Sequence, residues 1–233
     1  MRLDKFLSET GRASRKEAGI AAKKGLITVN GTVVKKADVH VDPEKDRITY
    51  CGEEITYRSF TYIIMNKPKG YVSVTEAKGD IPAQTLLPEV EQKLGLFPAG
   101  RLDKSTTGLL LLTNDGATAH RLTSPKHHVD KVYAFTVKFP ISDDDVTALC
   151  GGVTLEDGYE TLPCSVEMIS EREGRITLRE GKYHQIKRMM IAVHNQITSL
   201  MRISYGPLTV DGLDEGEWRY LTDDEIKQIT NNN

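Results

Sequence analysis

Residues 100–113 read Gly-Arg-Leu-Asp-Lys-Ser-Thr-Thr-Gly-Leu-Leu-Leu-Leu-Thr, and no other stretch limits the fold as tightly. Residues 109–112 are apolar at every position, so they read as a strand buried within a sheet. The loop before that strand is bracketed by Gly100 and Gly108 and carries Arg101 and Asp103. A single carboxylate beside an arginine, on a loop anchored to a buried strand, is how a reacting acid is commonly presented: a mobile side chain on a rigid support. Asp also favours turns for purely local reasons. Position in a loop therefore leaves a plain turn-forming role open for Asp103.

The rest of the chain narrows the classes. Its 233 residues suffice for one large domain, or a small one with a medium one. A hydrophobic content of 39% and a charged content of 27% match an ordinary globular protein. No run reaches the roughly 18 apolar residues that a membrane span requires. The start, Met1-Arg2-Leu3-Asp4-Lys5-Phe6, includes an acid and no long apolar core, unlike a secretory signal. A cytoplasmic protein without a membrane partner is expected. Cys51, Cys150 and Cys164 are far apart and form no Cys-x-x-Cys pair, so neither a zinc site nor a disulfide framework is supported. Phosphate-loop, dinucleotide-binding and zinc-hydrolase motifs are absent as well. The expectation is no cofactor and no metal.

The net charge of -2 conceals an asymmetry. Residues 1–36 hold nine basic residues against three acids, a net of +6, whereas residues 211–233 hold seven acids against Arg219 and Lys227. A basic segment with an acidic counterweight fits contact with a polyanion through one part of the chain, and equally fits a solvated helix face. Leu3, Phe6 and Leu7 repeat at helical spacing. Ser14-Arg15-Lys16-Glu17 has the form of a capping box and predicts a second helix. Ala18, Ala21 and Ala22 give that helix a small-residue face, so Arg15, Lys16, Lys23 and Lys24 must point outward. Gly25 ends it. Residues 27–34 flank Asn30-Gly31 with β-prone residues, a hairpin signal. A second strand pair is expected over 39–41 and 47–50, with Asp42-Pro43 as its turn. Residues 53–59 are polar and short and read as a linker.

Two helices followed by a small antiparallel sheet, with Arg2-Leu3-Asp4-Lys5-Phe6-Leu7, Ser14-Arg15 and Gly25-Leu26-Ile27-Thr28-Val29-Asn30-Gly31, closely resemble the S4 RNA-binding domain. The resemblance implies that Arg12, Arg15, Lys16, Lys23 and Lys24 contact phosphates, which position an RNA without reading its sequence.

Beyond the linker, residues 62–65 read as a buried strand, and Asn66-Lys67-Pro68-Lys69-Gly70-Tyr71 as a turn with two lysines. A helix is expected after Asn114-Asp115-Gly116, ending near Ser124-Pro125, before Lys126-His127-His128. Residues 131–137 alternate as a strand that carries Tyr133. Ile176-Thr177-Leu178 leads into Glu180-Gly181-Lys182-Tyr183-His184-Gln185-Ile186-Lys187-Arg188-Met189, a loop running into a helix, with basic side chains around Gln185. Taken singly, Tyr133 reads as a core residue, and Lys187 and Arg188 as a solvated helix face.

In this order, Gly100-Arg101-Leu102-Asp103, Lys131-Val132-Tyr133 and the segment 181–189 resemble the three signature motifs of pseudouridine synthases. With the S4-like start and Asn66-Lys67-Pro68-x-Gly70, nearly the whole chain resembles the ribosomal small-subunit pseudouridine synthase A group. Tyr183-His184 argues against the large-subunit relatives, which more often carry Asn-Arg there. The resemblance implies an α+β chain. Residues 1–58 would form the S4-like module, and 59–233 a catalytic domain with a mixed, largely antiparallel sheet flanked by helices.

It further implies an isomerase that converts one uridine of bacterial 16S ribosomal RNA, position 516, to pseudouridine. The enzyme would act as a monomer, on free RNA or on an assembling particle. The reaction breaks the N1–C1′ bond, rotates the base and joins C5 to C1′. Nothing is gained or lost, so no cofactor is required. Asp103 would be the ionised carboxylate, acting at C1′ or at C2′, with Lys187 holding its charge. Tyr133 would stack on the base near C5, and Leu200, or Ile186, would pack against the ring. Arg101 and His127 would hold the vacated backbone of a flipped nucleotide. Lys182, His184, Gln185 and Arg188 would complete the RNA contacts. A glycoside hydrolase would need a second carboxylate, and Glu180 is the nearest candidate in the motifs. A non-catalytic RNA-binding or ribosome-assembly factor is the remaining alternative.

Overall fold

The computed structural model describes residues 1–127 and 129–230, which divide into two compact units. The first comprises Met1–Thr61 with Leu87–Leu96, the second Tyr62–Leu86 with Phe97–Asn233.

In the first unit, α1 (Leu3–Glu9) and α2 (Arg15–Lys24) precede a four-stranded antiparallel sheet. Its strands are β1 (Ile27–Val29), β2 (Thr32–Val33), β3 (Ile48–Tyr50) and β4 (Glu53–Ile55), in the order β2-β1-β3-β4. The capping box forms: Ser14 Oγ accepts from the Glu17 N–H while the Glu17 carboxylate accepts from the Ser14 N–H. Such a cap contributes about 1 kcal/mol. Gly25 closes the helix in the left-handed conformation. Leu3, Phe6 and Leu7 pack with Ala18, Ala21, Ala22, Ile27 and Ile48 in one core. The short α3 (Glu89–Gln92) also belongs to this unit.

Two expectations fail here. Residues 39–41 form no strand, only an isolated bridge between His40 and Arg2. The reason is that α1 has no side-chain cap, so its first amides need other acceptors. Leu3 and Asp4 donate to the carbonyls of Val39 and Ala37 at 2.9 and 2.8 Å. Residues 53–59 do not begin as linker either, since residues 53–55 form β4. Cys51 and Gly52, at φ 54° and 87°, make a second two-residue hairpin turn like that of Asn30 and Gly31.

The second unit is built on a nine-stranded sheet. β5 (Tyr62–Lys67) is followed by a separate two-stranded pair, β6 (Tyr71–Val72) and β7 (Ile81–Pro82). Then come β8 (Phe97–Pro98), β9 (Thr107–Thr113), α4 (Gly116–Thr123), β10 (Lys131–Val137) and α5 (Asp143–Gly151). The chain continues through β11 (Ser165–Met168), β12 (Glu173–Leu178), α6 (Gln185–Ala192), β13 (Ile197–Tyr205), β14 (Leu208–Thr209), β15 (Trp218–Tyr220) and α7 (Asp223–Thr230). The strand order is β11-β12-β10-β13-β9-β5-β15, with β14 on β13 and β8 on β9. Among the described residues of this sheet only β13 and β9 pair in parallel, so the sheet is mixed and largely antiparallel.

The leucines of β9 are buried on both faces, as a central strand requires. Leu109 and Leu111 share a core with Ala119 and Leu122 of α4 and Ile229 of α7. A second core joins Leu149 of α5 and Ile186, Met189 and Met190 of α6 to Phe135, Ile176, Leu178 and Leu200. The parallel contact is short, Met201 opposite Thr107 and Arg202 opposite Gly108. A Cβ on Gly108, whose φ is +97°, would lie 2.3 Å from the Arg202 carbonyl oxygen, so this crossing requires glycine. It also anchors the end of the loop that carries Asp103.

Candidate active site

Three segments meet at one cleft: the loop entering β9, the middle of β10, and the first turn of α6. Arg101, Leu102, Asp103, Thr106, Tyr133, Leu178, Ile186, Lys187 and Leu200 line it, together with residues 180–182, 184 and 185. The cavity is about 90 Å³.

The loop is fixed from below. Ser73 Oγ accepts from the Leu102 N–H and donates to the Leu102 carbonyl, both at 3.1 Å. The Thr106 N–H donates to the Asp103 carbonyl at 3.1 Å, closing a turn. With Leu102 buried and pinned, Asp103 projects beside it, its side chain 27% exposed. Lys187 Nζ donates to Asp103 Oδ2 at 2.6 Å and to Ser105 Oγ at 2.9 Å. His184 Nε2 lies 3.5 Å from Asp103 Oδ1. One carboxylate thus sits against a lysine and a histidine, and apolar Leu178, Ile186 and Leu200 also line the cleft. Tyr133 is half-buried, opposite Ile176 and Arg202 in the sheet register.

The structure therefore brings together Asp103, Tyr133, Lys187, Leu200, Arg101, Lys182, His184 and Gln185. Within that set the roles separate by bonding. Gln185 is buried: its amide donates to Glu180 Oε1 at 2.5 Å and accepts from the Lys182 N–H at 2.9 Å. Glu180 also accepts from the Tyr159 hydroxyl at 2.6 Å and the Leu162 N–H at 2.9 Å. Its carboxylate is committed to bracing the loop, which removes the second acid a glycoside hydrolase would use. Lys182 Nζ rests over the Tyr159 ring at 4.4 Å. Arg188 does not line this cleft, and its guanidinium contacts Glu156 and Asp157 at 2.6 Å each. His127 is exposed in a short turn and also does not line the cleft; His128 lies outside the described residues. In the first unit, Arg15, Lys16, Lys23 and Lys24 are exposed on α2, and Arg12 contacts Glu53 at 3.2 Å.

Two residues near the site escape a reading by sequence pattern. Lys67 ends β5 rather than lying in an open turn, and it is fully buried. Its ammonium donates to the carbonyls of Pro68 and Tyr71, each at 2.9 Å. Burial lowers its pKa to about 8, while the charges of Asp103 and Glu215 partly restore it. Arg202 is also buried, with Nε donating to the Leu109 carbonyl at 2.8 Å and the guanidinium 4.9 Å from the Tyr205 ring centre. A lysine before proline and an arginine inside a strand carry no periodic signal; only the polarity of 66–67 after an apolar strand hinted at the first.

The family model described as RNA pseudouridylate synthase matches residues 61–192, and that of the S4 domain matches residues 1–48. The chain belongs to the RNA pseudouridylate synthase family. A synthase from Bacillus subtilis strain 168, named as the uncharacterized RNA pseudouridine synthase YtzG, is 45% identical over 97% of both chains. The ribosomal small subunit pseudouridine synthase A of Vibrio cholerae is 44% identical over 98% of this chain and 99% of its own. The Escherichia coli K12 protein of that name is 39% identical over 98% and 100%. A crystal structure described as a pseudouridylate synthase superposes with a TM-score of 0.70 at 35% identity, covering 99% of this chain and 100% of the other. The synthase is thus an isomerase with an N-terminal S4 domain. No helix of the described residues is long and apolar enough to cross a membrane, and no group of three or more metal-ligating side chains occurs among them.

Proposed function

We propose that this synthase isomerises one uridine of small-subunit ribosomal RNA, with Asp103 as the essential carboxylate. The observation that carries the reading is the cleft itself: Asp103, ion-paired at 2.6 Å to Lys187, shares the lining with apolar side chains and Tyr133, while the other carboxylate there, Glu180, is held by Tyr159, Leu162 and Gln185. The two relatives named for the small subunit, aligned over almost their full lengths, support the choice of RNA. Residues 1–58 act as the RNA-docking module and 59–233 as the catalytic domain. The exposed cations of α2 hold phosphates and set the register of the substrate. The target uridine is flipped from its stack into the cleft, because its C1′ is unreachable within a helix.

There Asp103 meets the ribose, with its charge held by Lys187. The N1–C1′ bond breaks, the uracil turns within walls formed by Tyr133, Ile186 and Leu200, and C5 bonds to C1′. The proton then leaves C5, and N1 ends protonated, so the sum is an isomerisation. Exclusion of water keeps the detached base and the sugar from being hydrolysed or lost. Arg101, exposed and lining the cleft, holds the backbone of the flipped nucleotide, with His127 as an outer contact. The enzyme acts as a monomer in the cytoplasm.

Two measurements test this. Pseudouridine mapping of 16S and 23S ribosomal RNA from cells lacking the protein should show one 16S site lost, position 516; a 23S site lost instead would redirect the substrate. Asp103→Asn should abolish turnover while leaving the protein folded and its RNA affinity near wild type. A variant that still converts uridine at the normal rate would remove Asp103 from the chemistry.

A further inference from the structure

Tyr183 is 75% exposed, more than any other large hydrophobic side chain among the described residues. Its ring stacks on His184, with 3.8 Å between centroids and 20° between planes. His184 itself adopts the left-handed conformation, φ 50° and ψ 31°, which is uncommon for a residue with a side chain. The backbone beneath the pair is locked. Arg188 Nη1 donates to the Tyr183 carbonyl at 3.3 Å, and Glu156 and Asp157 hold that guanidinium. An exposed tyrosine stacked on a half-buried histidine, with no hydrogen bond of the Tyr183 hydroxyl among the described residues, contributes little to the fold.

The same pair borders a groove of about 610 Å³, walled by Ile191 and Ile197. That size falls in the roughly 300–1,000 Å³ range of small-molecule sites. His184 and Lys187 line both this groove and the Asp103 cleft, so the two are adjacent. Glu156 and Asp157 on its rim share the single guanidinium of Arg188, which leaves that rim acidic, and Ile191 is 60% exposed; these walls suit a flat base better than a phosphate. Flipping one nucleotide leaves its neighbours unstacked, and proteins hold unstacked bases on aromatic rings.

We propose that Tyr183 and His184 form a stacking platform for the nucleobase next to the target uridine, seated in the groove of Ile191 and Ile197. This rests on the Asp103 cleft receiving the target. The platform is a second base subsite, which fixes the substrate strand on one side of the reacting nucleotide.

The test uses the full-length enzyme and transcripts of 16S and 23S ribosomal RNA labelled with tritium at uridine C5. Whichever transcript releases tritium supplies the sequence for short RNAs, in which either neighbour of the target is made abasic. Tyr183→Ala should raise KM by roughly 5- to 150-fold, the equivalent of about 1–3 kcal/mol of stacking, with kcat little changed. Tyr183→Phe should behave as wild type. An abasic neighbour on one side should raise KM of the wild type by the same factor and add nothing to Tyr183→Ala. An unchanged KM for Tyr183→Ala, or losses that multiply, would overturn the platform. The choice of transcript and the Asp103→Asn result test the proposed function separately, so each reading can fail alone.

Discussion

Replacing Lys187 with methionine probes the ion pair on which the proposed chemistry depends. At 2.6 Å, the attraction between Lys187 Nζ and Asp103 Oδ2 is about 6 kcal/mol at an effective dielectric constant near 20. Both side chains are about a quarter exposed, so solvent screens much of this. Removing one partner of a fully buried pair costs roughly 3–5 kcal/mol, and about 2 kcal/mol is expected for this half-open one. His184, 3.5 Å from the other carboxylate oxygen, replaces part of the lost contact. If that stabilisation is realised during reaction, kcat should fall about 30-fold for Lys187→Met. Lys187→Arg should recover part of it, since a guanidinium fits an ammonium site imperfectly. Single-turnover tritium release from C5-labelled RNA reads the rate. Urea unfolding of Asp103→Asn, Lys187→Met and the double variant reads the pair itself, with about 1–2 kcal/mol of coupling expected. Turnover of Lys187→Met within threefold of wild type, with no coupling, would show the lysine to be only a surface charge.

Exchanging Arg15, Lys16, Lys23 and Lys24 for alanine should flatten the plot of log affinity against log salt by a slope of roughly three, while turnover at saturating RNA changes far less. An unchanged slope would exclude α2 as the RNA-docking face. Hydrogen bonds from Arg219 bring the Glu225 carboxyl down to about 2 from 4.5, so its stabilisation is complete above about pH 4.5 and fades as pH falls toward 2. Since Arg219 is 36% exposed, Glu225→Gln should cost only about 1–2 kcal/mol at pH 7 and almost nothing near pH 2, by urea unfolding at both; an equal loss at both would refute the assignment. Gly108→Ala should destabilise by more than about 2 kcal/mol and abolish turnover, because its Cβ would meet the Arg202 backbone. A variant that melts like wild type would contradict the tight crossing of β9 and β13.

Local chemistry alone made several elements legible. The Ser14–Glu17 capping box, the Asn30-Gly31 turn and the leucine run of β9 each encode their conformation within a few residues. The same holds for α4, whose cap, Asp115, accepts from the N–H groups of Ala117 and Thr118. The Asp103 loop, the Tyr133 strand and the Lys187 helix were legible as separate pieces, and only motif resemblance joined them. Residues 39–41 and 53–55 misled for a shared reason: strand formation depends on a partner. In the former, the Val39 carbonyl went to α1 and the Val41 carbonyl to the Met1 ammonium, while the latter found β3 across a Cys-Gly turn.

What the sequence determined by itself, then, were caps, turns and apolar runs, because each is an interaction between near neighbours. The tertiary structure alone decided which polar groups remain free to act. Gln185, Glu180 and Arg188 look in sequence as available as Lys187, yet they are consumed by one another and by Tyr159, Glu156 and Asp157. Lys67 looks like a solvated turn lysine and is buried. A side chain's chemistry follows from its burial and its partners, and those come from segments as distant as residues 103 and 187.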